Sequence, residues 1–298
     1  KGGIFSPNGV HQELPMDQVS QKIKQQKNRL VYIHGFRDDL ASSYKDMKEL
    51  GFIQNWDCLI IDWPAGKLAQ YFNDAIVNLC GPGVQTVLAS AEKCGKASAH
   101  ELVDLLGSSR ILAHSMGGHF FASFLQEWSG PPLGNVALIA PCTPYQSFEQ
   151  DLPLLKSKMG LLTVYAGSTD KVLGGAHFIS GRVQRDDDTR LLGTVWRPYR
   201  RESAGYDLIN VTCLYDDNFN FLGHFPTDPI YLDDLGRALD GRPKELSDSK
   251  GYFYEQRINT FLRRIARKDW LNICLALQRT PACNKLETRL AKVQIKKL

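Results

Sequence analysis

Six short apolar runs in the middle of the chain constrain its fold more than any other feature: Leu30 to Ile33, Cys58 to Asp62, Arg110 to Ala113, Asn135 to Ala140, Leu161 to Ala166 and Leu208 to Leu214. Each is bounded by turn signals, and their Val, Ile and Leu do not alternate with polar residues. That is the pattern of strands buried on both faces, as in a parallel sheet. The intervals between the first four can hold crossover helices, for which Tyr44 to Leu50, Lys67 to Leu79, Gln85 to Glu92, Ser98 to Leu106 and Gly117 to Glu127 are the candidates. The expected class is therefore α/β, a mostly parallel central sheet with helices on both faces. With 298 residues, 43% of them hydrophobic and 23% charged, the chain can bury a core of that size.

Other classes are disfavoured. No stretch reaches the roughly 18 consecutive apolar residues that a spanning helix needs. The opening Lys1-Gly2-Gly3 has neither a start Met nor a signal-peptide apolar region, which reads as a processed or trimmed N-terminus. The seven cysteines form no C-x-x-C pair and are too scattered for a disulfide scaffold, so they read as small buried residues of a reducing, cytoplasmic setting. The seven histidines show no metal-ligand spacing such as H-E-x-x-H, and neither a metal nor a cofactor is expected.

Charge divides the chain. Residues 251–298 carry a net +8, which leaves −4 on residues 1–250. Within this tail Ile258, Phe261, Leu262 and Ile265 recur at helical spacing while Arg257, Arg263, Arg264 and Arg267 take the other face, and Leu286, Leu290 and Val293 repeat the pattern among Lys285, Arg289 and Lys292. The tail reads as basic amphipathic helices that cover the main domain or an acidic protein segment, with peripheral contact to an anionic membrane as the sharper alternative. Nucleic acid is disfavoured, since no recognition motif accompanies the basic residues. The domain layout expected is an N-terminal extension over 1–27, a main domain over 28–250 and the tail over 251–298. Two intervals, 141–160 and 171–206, exceed a minimal alternation and are candidate cap segments.

The strongest chemical signal is Ile111-Leu112-Ala113-His114-Ser115-Met116-Gly117-Gly118, an apolar strand running through small-x-Ser-x-Gly into a helix. The turn is strained and tight, so small residues are needed two positions either side of Ser115, and Ala113 and Gly117 supply them. The serine hydroxyl would stand above the strand ends with helix N-terminal amides aimed at developing negative charge. A second element, Val31-Tyr32-Ile33-His34-Gly35-Phe36, places His-Gly directly after the first strong strand. Together these resemble the α/β-hydrolase superfamily, and Ala113 to Gly118 look like the nucleophile elbow of small lipases and esterases. The resemblance spans about residues 28 to 240.

It implies an α/β-hydrolase fold with Ser115 as nucleophile and an oxyanion hole made by the backbone amides of Phe36 and Met116. His34 is then structural, its imidazole bonded to the loop backbone. The family order of serine, acid, histidine points to Asp170, after the run Leu161 to Ala166, and to His224, after the last strand. Asp216 and Asp217 compete for the acid and read otherwise as turn residues; His177, only seven positions past Asp170, reads as a surface or cap residue. Asp62-Trp63-Pro64-Ala65-Gly66, with Tyr71 and Asp74, further resembles a bacterial α/β-hydrolase group that carries Trp-Pro-Ser-x-Gly at this place, with Ala65 standing where that group has Ser. Trp63 and Tyr71 are candidates for lining the acyl pocket, with packing as the competing role. The activity implied is hydrolysis of a carboxylic ester, a lipid ester among the candidates. The alternatives are a thioesterase or acyltransferase with the same triad, or a catalytically idle hydrolase-like binding module.

Overall fold

The structure, a computed structural model, describes residues 2–5, 11–36, 38–65, 82–167, 170, 172–173, 191–194, 206–210 and 229–241. Tyr71, His177, Asp216, Asp217, His224, the candidate helix 67–79 and the basic tail lie outside the described residues. In chain order the elements are β1 (Gly2–Phe5), β2 (His11–Leu14), α1 (Met16–Gln25), β3 (Arg29–Ile33), α2 (Leu40–Glu49), α3 (Phe52–Asn55) and β4 (Asp57–Ile61). There follow α4 (Pro82–Glu101), β5 (Arg110–His114), α5 (Met116–Glu127), β6 (Val136–Ile139), α6 (Tyr145–Leu155), β7 (Leu162–Ala166), β8 (Asp207–Asn210) and α7 (Pro229–Leu239).

Six strands form one sheet in the order β4-β3-β5-β6-β7-β8, and every adjacent pair is parallel. Each run read as a strand from the sequence contributes to this sheet, the last through Leu208 to Asn210, since residues 211–214 lie outside the described residues. Successive side chains on a strand point to opposite faces, and Leu30, Val31, Tyr32 and Ile33 are all at most 1% exposed. Both faces are therefore covered, which accounts for the unbroken apolar runs. By the right-handed crossover rule α2 belongs on one face of the sheet and α4, α5 and α6 on the other.

Three local differences from the sequence reading have physical causes. The candidate helices over 85–92 and 98–106 join into one helix, α4, which runs through Gly95 and ends at Glu101, short of the expected Leu106. A Cβ at Gly95 would sit 2.3 Å from the Phe120 carbonyl oxygen, so this glycine lets α4 approach α5 closely instead of ending the helix. The interval 141–160, a candidate cap by its length, holds α6, which carries the chain from β6 to β7. The first 27 residues contain a β1-β2 hairpin and α1, whose Val19 and Ile23 are buried in the same core as the sheet. Among the described residues no helix is long and apolar enough to cross a membrane.

The sheet fixes where a site can form. The chain runs from β3 outward to β4, then returns past β3 to β5, so strand order reverses between β3 and β5. Ligands of open α/β sheets bind outside the carboxyl ends of the strands at such a switch point. Here those ends are His34-Gly35 and Ser115.

Candidate functional site

Ser115 follows β5 and caps α5 with φ 54° and ψ −120°, one of three non-glycine residues with positive φ among those described. Such a conformation costs about 1–3 kcal/mol and persists only where neighbours over-determine it. They do so through the backbone. The Ser115 amide donates to Ile139 O at 2.9 Å, and its carbonyl accepts from the amides of Gly118 at 2.9 Å and Cys142 at 2.8 Å.

The small residues around the elbow are explained by what surrounds them. A Cβ on Gly117 would lie 2.3 Å from Ile33 O and 2.7 Å from His34 O, so any side chain there would push α5 off β3. A Cβ on Gly35 would lie 3.0 Å from the Ser115 Cβ, which means the loop after β3 rests directly on the elbow. Ser115 itself is 4% exposed and Met116 is buried beneath it. Met116 opens α5, so its amide has no intrahelical acceptor and points outward with the positive end of the helix dipole. Phe36 is half-buried against the core in the loop after β3.

His34 is completely buried. Its Nδ1 faces Gly35 O at 3.0 Å, which assigns the proton to Nδ1, and Nε2 accepts from the Trp63 amide at 3.3 Å. Nε2 also lies 3.2 Å from the half-exposed Asp62 carboxylate. The indole of Trp63 donates from Nε1 to His34 O at 3.0 Å and stacks on the imidazole at a centroid distance of 5.7 Å. His34 thus has the structural role expected of it. Trp63, buried and packed between His34 and Phe120, serves as the support of that loop. On the far side the loop is fixed by Gly35 N–H donating to Asp38 at 3.3 Å and by a capping box at the start of α2, in which Asp39 and Ser42 each accept from the other's amide at 2.8 Å. The Ser42 hydrogen bonds hold the Asp39 carboxyl below its ordinary pKa.

Asp170 lies just past the end of β7 and is 3% exposed. One carboxylate oxygen accepts from the Leu173 amide at 2.9 Å, and the Asp170 amide donates to Gly167 O at 3.2 Å. Ser115 and Asp170 converge on Cys142, which had no individual signal in the sequence. Its amide holds the Ser115 carbonyl, while burial, reinforced by the Asp170 charge, pushes its thiol up to about 12. The thiol is therefore neutral at physiological pH and acts as a small buried wall between the two loops. His224 and Tyr71, expected as base and pocket residue, fall outside the described residues, so the structure bears on Ser115, Asp170, Phe36, Met116 and Trp63 alone.

The geometry defines an α/β protein with a parallel six-stranded sheet and a strained serine at its switch point. No family model matches the chain, and no curated protein matches it. Among solved structures, an uncharacterized protein from Bacillus cereus ATCC 10987, known from a crystal structure at 2.75 Å resolution, aligns with 13% identity and a TM-score of 0.41. The alignment covers 76% of this chain and 66% of that one, so this chain spans about two thirds of the other protein's length.

Proposed function

We propose that the chain is a serine hydrolase of the α/β-hydrolase superfamily that cleaves carboxylic esters. The observation that carries this reading is the conformation of Ser115, φ 54° and ψ −120°, on a strand-to-helix turn against which the His34-Gly35 loop is pressed. Such strain is tolerated where it serves a purpose, and in this reading it presents the hydroxyl at the strand ends beside the first amides of α5.

In this reading His224 takes the Ser115 proton as the hydroxyl oxygen attacks the ester carbonyl. The amides of Met116 and Phe36 stabilise the resulting oxyanion. Asp170 accepts a hydrogen bond from the protonated His224, which returns the proton to the leaving alcohol; water then cleaves the acyl-enzyme by the reverse sequence. The basic tail supports a lipid ester as substrate, since it offers contact with an anionic surface.

Labelling by a fluorophosphonate probe tests the reading, with the wild type compared with Ser115→Ala, followed by hydrolysis of p-nitrophenyl esters of increasing chain length. Labelling that depends on Ser115, with turnover that falls at least about 1000-fold in Ser115→Ala, is the expected result. A folded wild-type chain that neither labels nor turns over any ester would overturn it in favour of the idle binding module.

A further inference from the structure

The segment Leu191–Thr194 lies within the interval 171–206, a candidate cap segment by its length, and Leu192 and Gly193 in it are buried. A 3₁₀ turn forms over Leu192–Thr194, and among the described residues its outward backbone bonds go to two loops. To the loop after β6 it is joined by Leu192 N–H donating to Thr143 O at 2.8 Å, by Gly193 N–H donating to Pro141 O at 2.9 Å and by an antiparallel bridge between Leu191 and Pro144. To the loop after β7 it is joined by Gly167 N–H donating to Gly193 O at 2.9 Å.

Gly193 uses both of its backbone polar groups in this way, one toward each loop. Its missing side chain matters equally. A Cβ there would lie 2.5 Å from the Ala140 carbonyl carbon, 2.8 Å from Pro141 N and 2.5 Å from a Leu173 methyl. The first two belong to backbone that cannot move freely, because Ala140 is itself held at φ 44° by the hydrogen bond its N–H donates to Tyr165 O. Pro141 leads into Cys142, whose amide fixes the Ser115 carbonyl, and Leu173 supplies the amide that holds the Asp170 carboxylate. A continuous path thus runs from Ser115 through Cys142 and Pro141 to Gly193, and from Gly193 through Gly167 and Leu173 to Asp170.

We propose that Gly193 is a positioning residue, the joint that keeps the Asp170 loop in register with the loop holding Ser115. The inference rests on the serine-hydrolase reading and adds to it a residue that touches no substrate. Displacing the acid relative to the nucleophile by a fraction of an ångström leaves both side chains present but misaligns the hydrogen bond by which the acid supports the imidazolium. A misplacement of about 1 Å can cost about 100-fold in rate.

The test compares wild type, Gly193→Ala and Asp170→Asn in the full chain, with active sites titrated by the fluorophosphonate so that rates are expressed per labelled Ser115. Expected for Gly193→Ala is a kcat per site lower by about 10- to 100-fold with KM little changed. The acidic limb of the pH profile is expected to move to lower pH, as in Asp170→Asn, because an imidazolium that loses its carboxylate partner gives up its proton more readily. Cys142, pushed to about 12, does not titrate across that limb. A purely structural role for Gly193 would lower thermal stability and the fraction of titratable sites while leaving kcat per site and the pH profile unchanged, and that result overturns the inference. Should Gly193→Ala fail to fold, Leu192→Ala, which trims the anchor instead of crowding it, is measured in the same way: a lower kcat per site with a shifted acidic limb supports the joint, and an unchanged kcat and profile overturns it. Wild-type chain that folds without labelling at Ser115 overturns the hydrolase reading and this inference with it, whereas labelled wild type with an unaltered Gly193→Ala overturns this inference alone.

Discussion

Ser115 stores strain that only glycine would adopt at no steric cost. The consequence is measurable in a pair of variants. Ser115→Ala keeps a Cβ at φ 54° and is expected to unfold near the wild-type temperature, while Ser115→Gly relieves the strain and should be more stable than Ser115→Ala by about 1 kcal/mol. Calorimetry that finds the glycine variant the less stable of the two removes the argument that the elbow is strained. A second residue gives a pH-dependent expectation. Asp46 on α2 is raised from the ordinary 3.8 to about 6 by partial burial, with the Asp38 and Glu49 carboxylates adding to it. The folded state therefore binds this proton more tightly than the unfolded state, so unfolding releases it between those two values and stability falls as pH rises through about 6. Asp46→Asn should stabilise the protein at neutral pH by about 1 kcal/mol, after discounting for screening at a half-buried site, and have little effect near pH 4. Equal gains at both pH values in chemical denaturation would show that charge is not the cause.

At the scale of elements, α4 and α5 illustrate how packing reverses a propensity. In an exposed helix, replacing glycine by alanine stabilises by about 1 kcal/mol. At Gly95 the same change puts a methyl 2.3 Å from Phe120 O, so the helices must separate, and Gly95→Ala is expected to destabilise by about 1–3 kcal/mol in urea unfolding. A stabilised Gly95→Ala would mean that the two helices do not meet at this crossing. The same residue marks a limit of reading structure from sequence. A glycine within a helical run resembles a break, and nothing local in α4 records that α5 is its neighbour. The strands were legible for the opposite reason, since burial on both faces writes itself into every position. The elbow was legible because steric demand at Ser115 selects residue types at fixed spacing. Leu191–Thr194 left no such mark: its bonds to Thr143, Pro141 and Gly167 are made by backbone groups, which every non-proline residue carries. Cys142 was equally silent, since its role depends on which loops meet around it.

For the molecule as a whole, the sheet gives its two ends unequal roles. The carboxyl end of the strands gathers the loops bearing His34, Ser115, Cys142 and Asp170, and the order reversal between β3 and β5 falls among them. The opposite end has a cavity of about 290 Å³ beside Lys24 and Arg29, whose charge invites comparison as an anion site. Arg29 is already committed there: its guanidinium donates to Leu105 O and, at 2.8 Å, to Gly107 O, satisfying carbonyls in the turn beyond α4. Asp104 offsets the remaining lysine at the same rim. A phosphonate adduct should therefore register at one pole only. Hydrogen exchange of the fluorophosphonate-labelled chain is expected to slow at His34 to Phe36, Met116 to Gly118 and Cys142 to Thr143, where the adduct's oxygen meets amides and its chain shields the loops. Exchange at Val103 to Gly107 should stay unchanged, because the core strands between the poles are close-packed and carry no path for local ordering. Protection confined to the Arg29 end would place the reactive group elsewhere and undo the assignment of the switch-point crevice. Uniform slowing across both ends would show instead that the adduct acts on global stability and leave no ground for treating the two poles as functionally distinct.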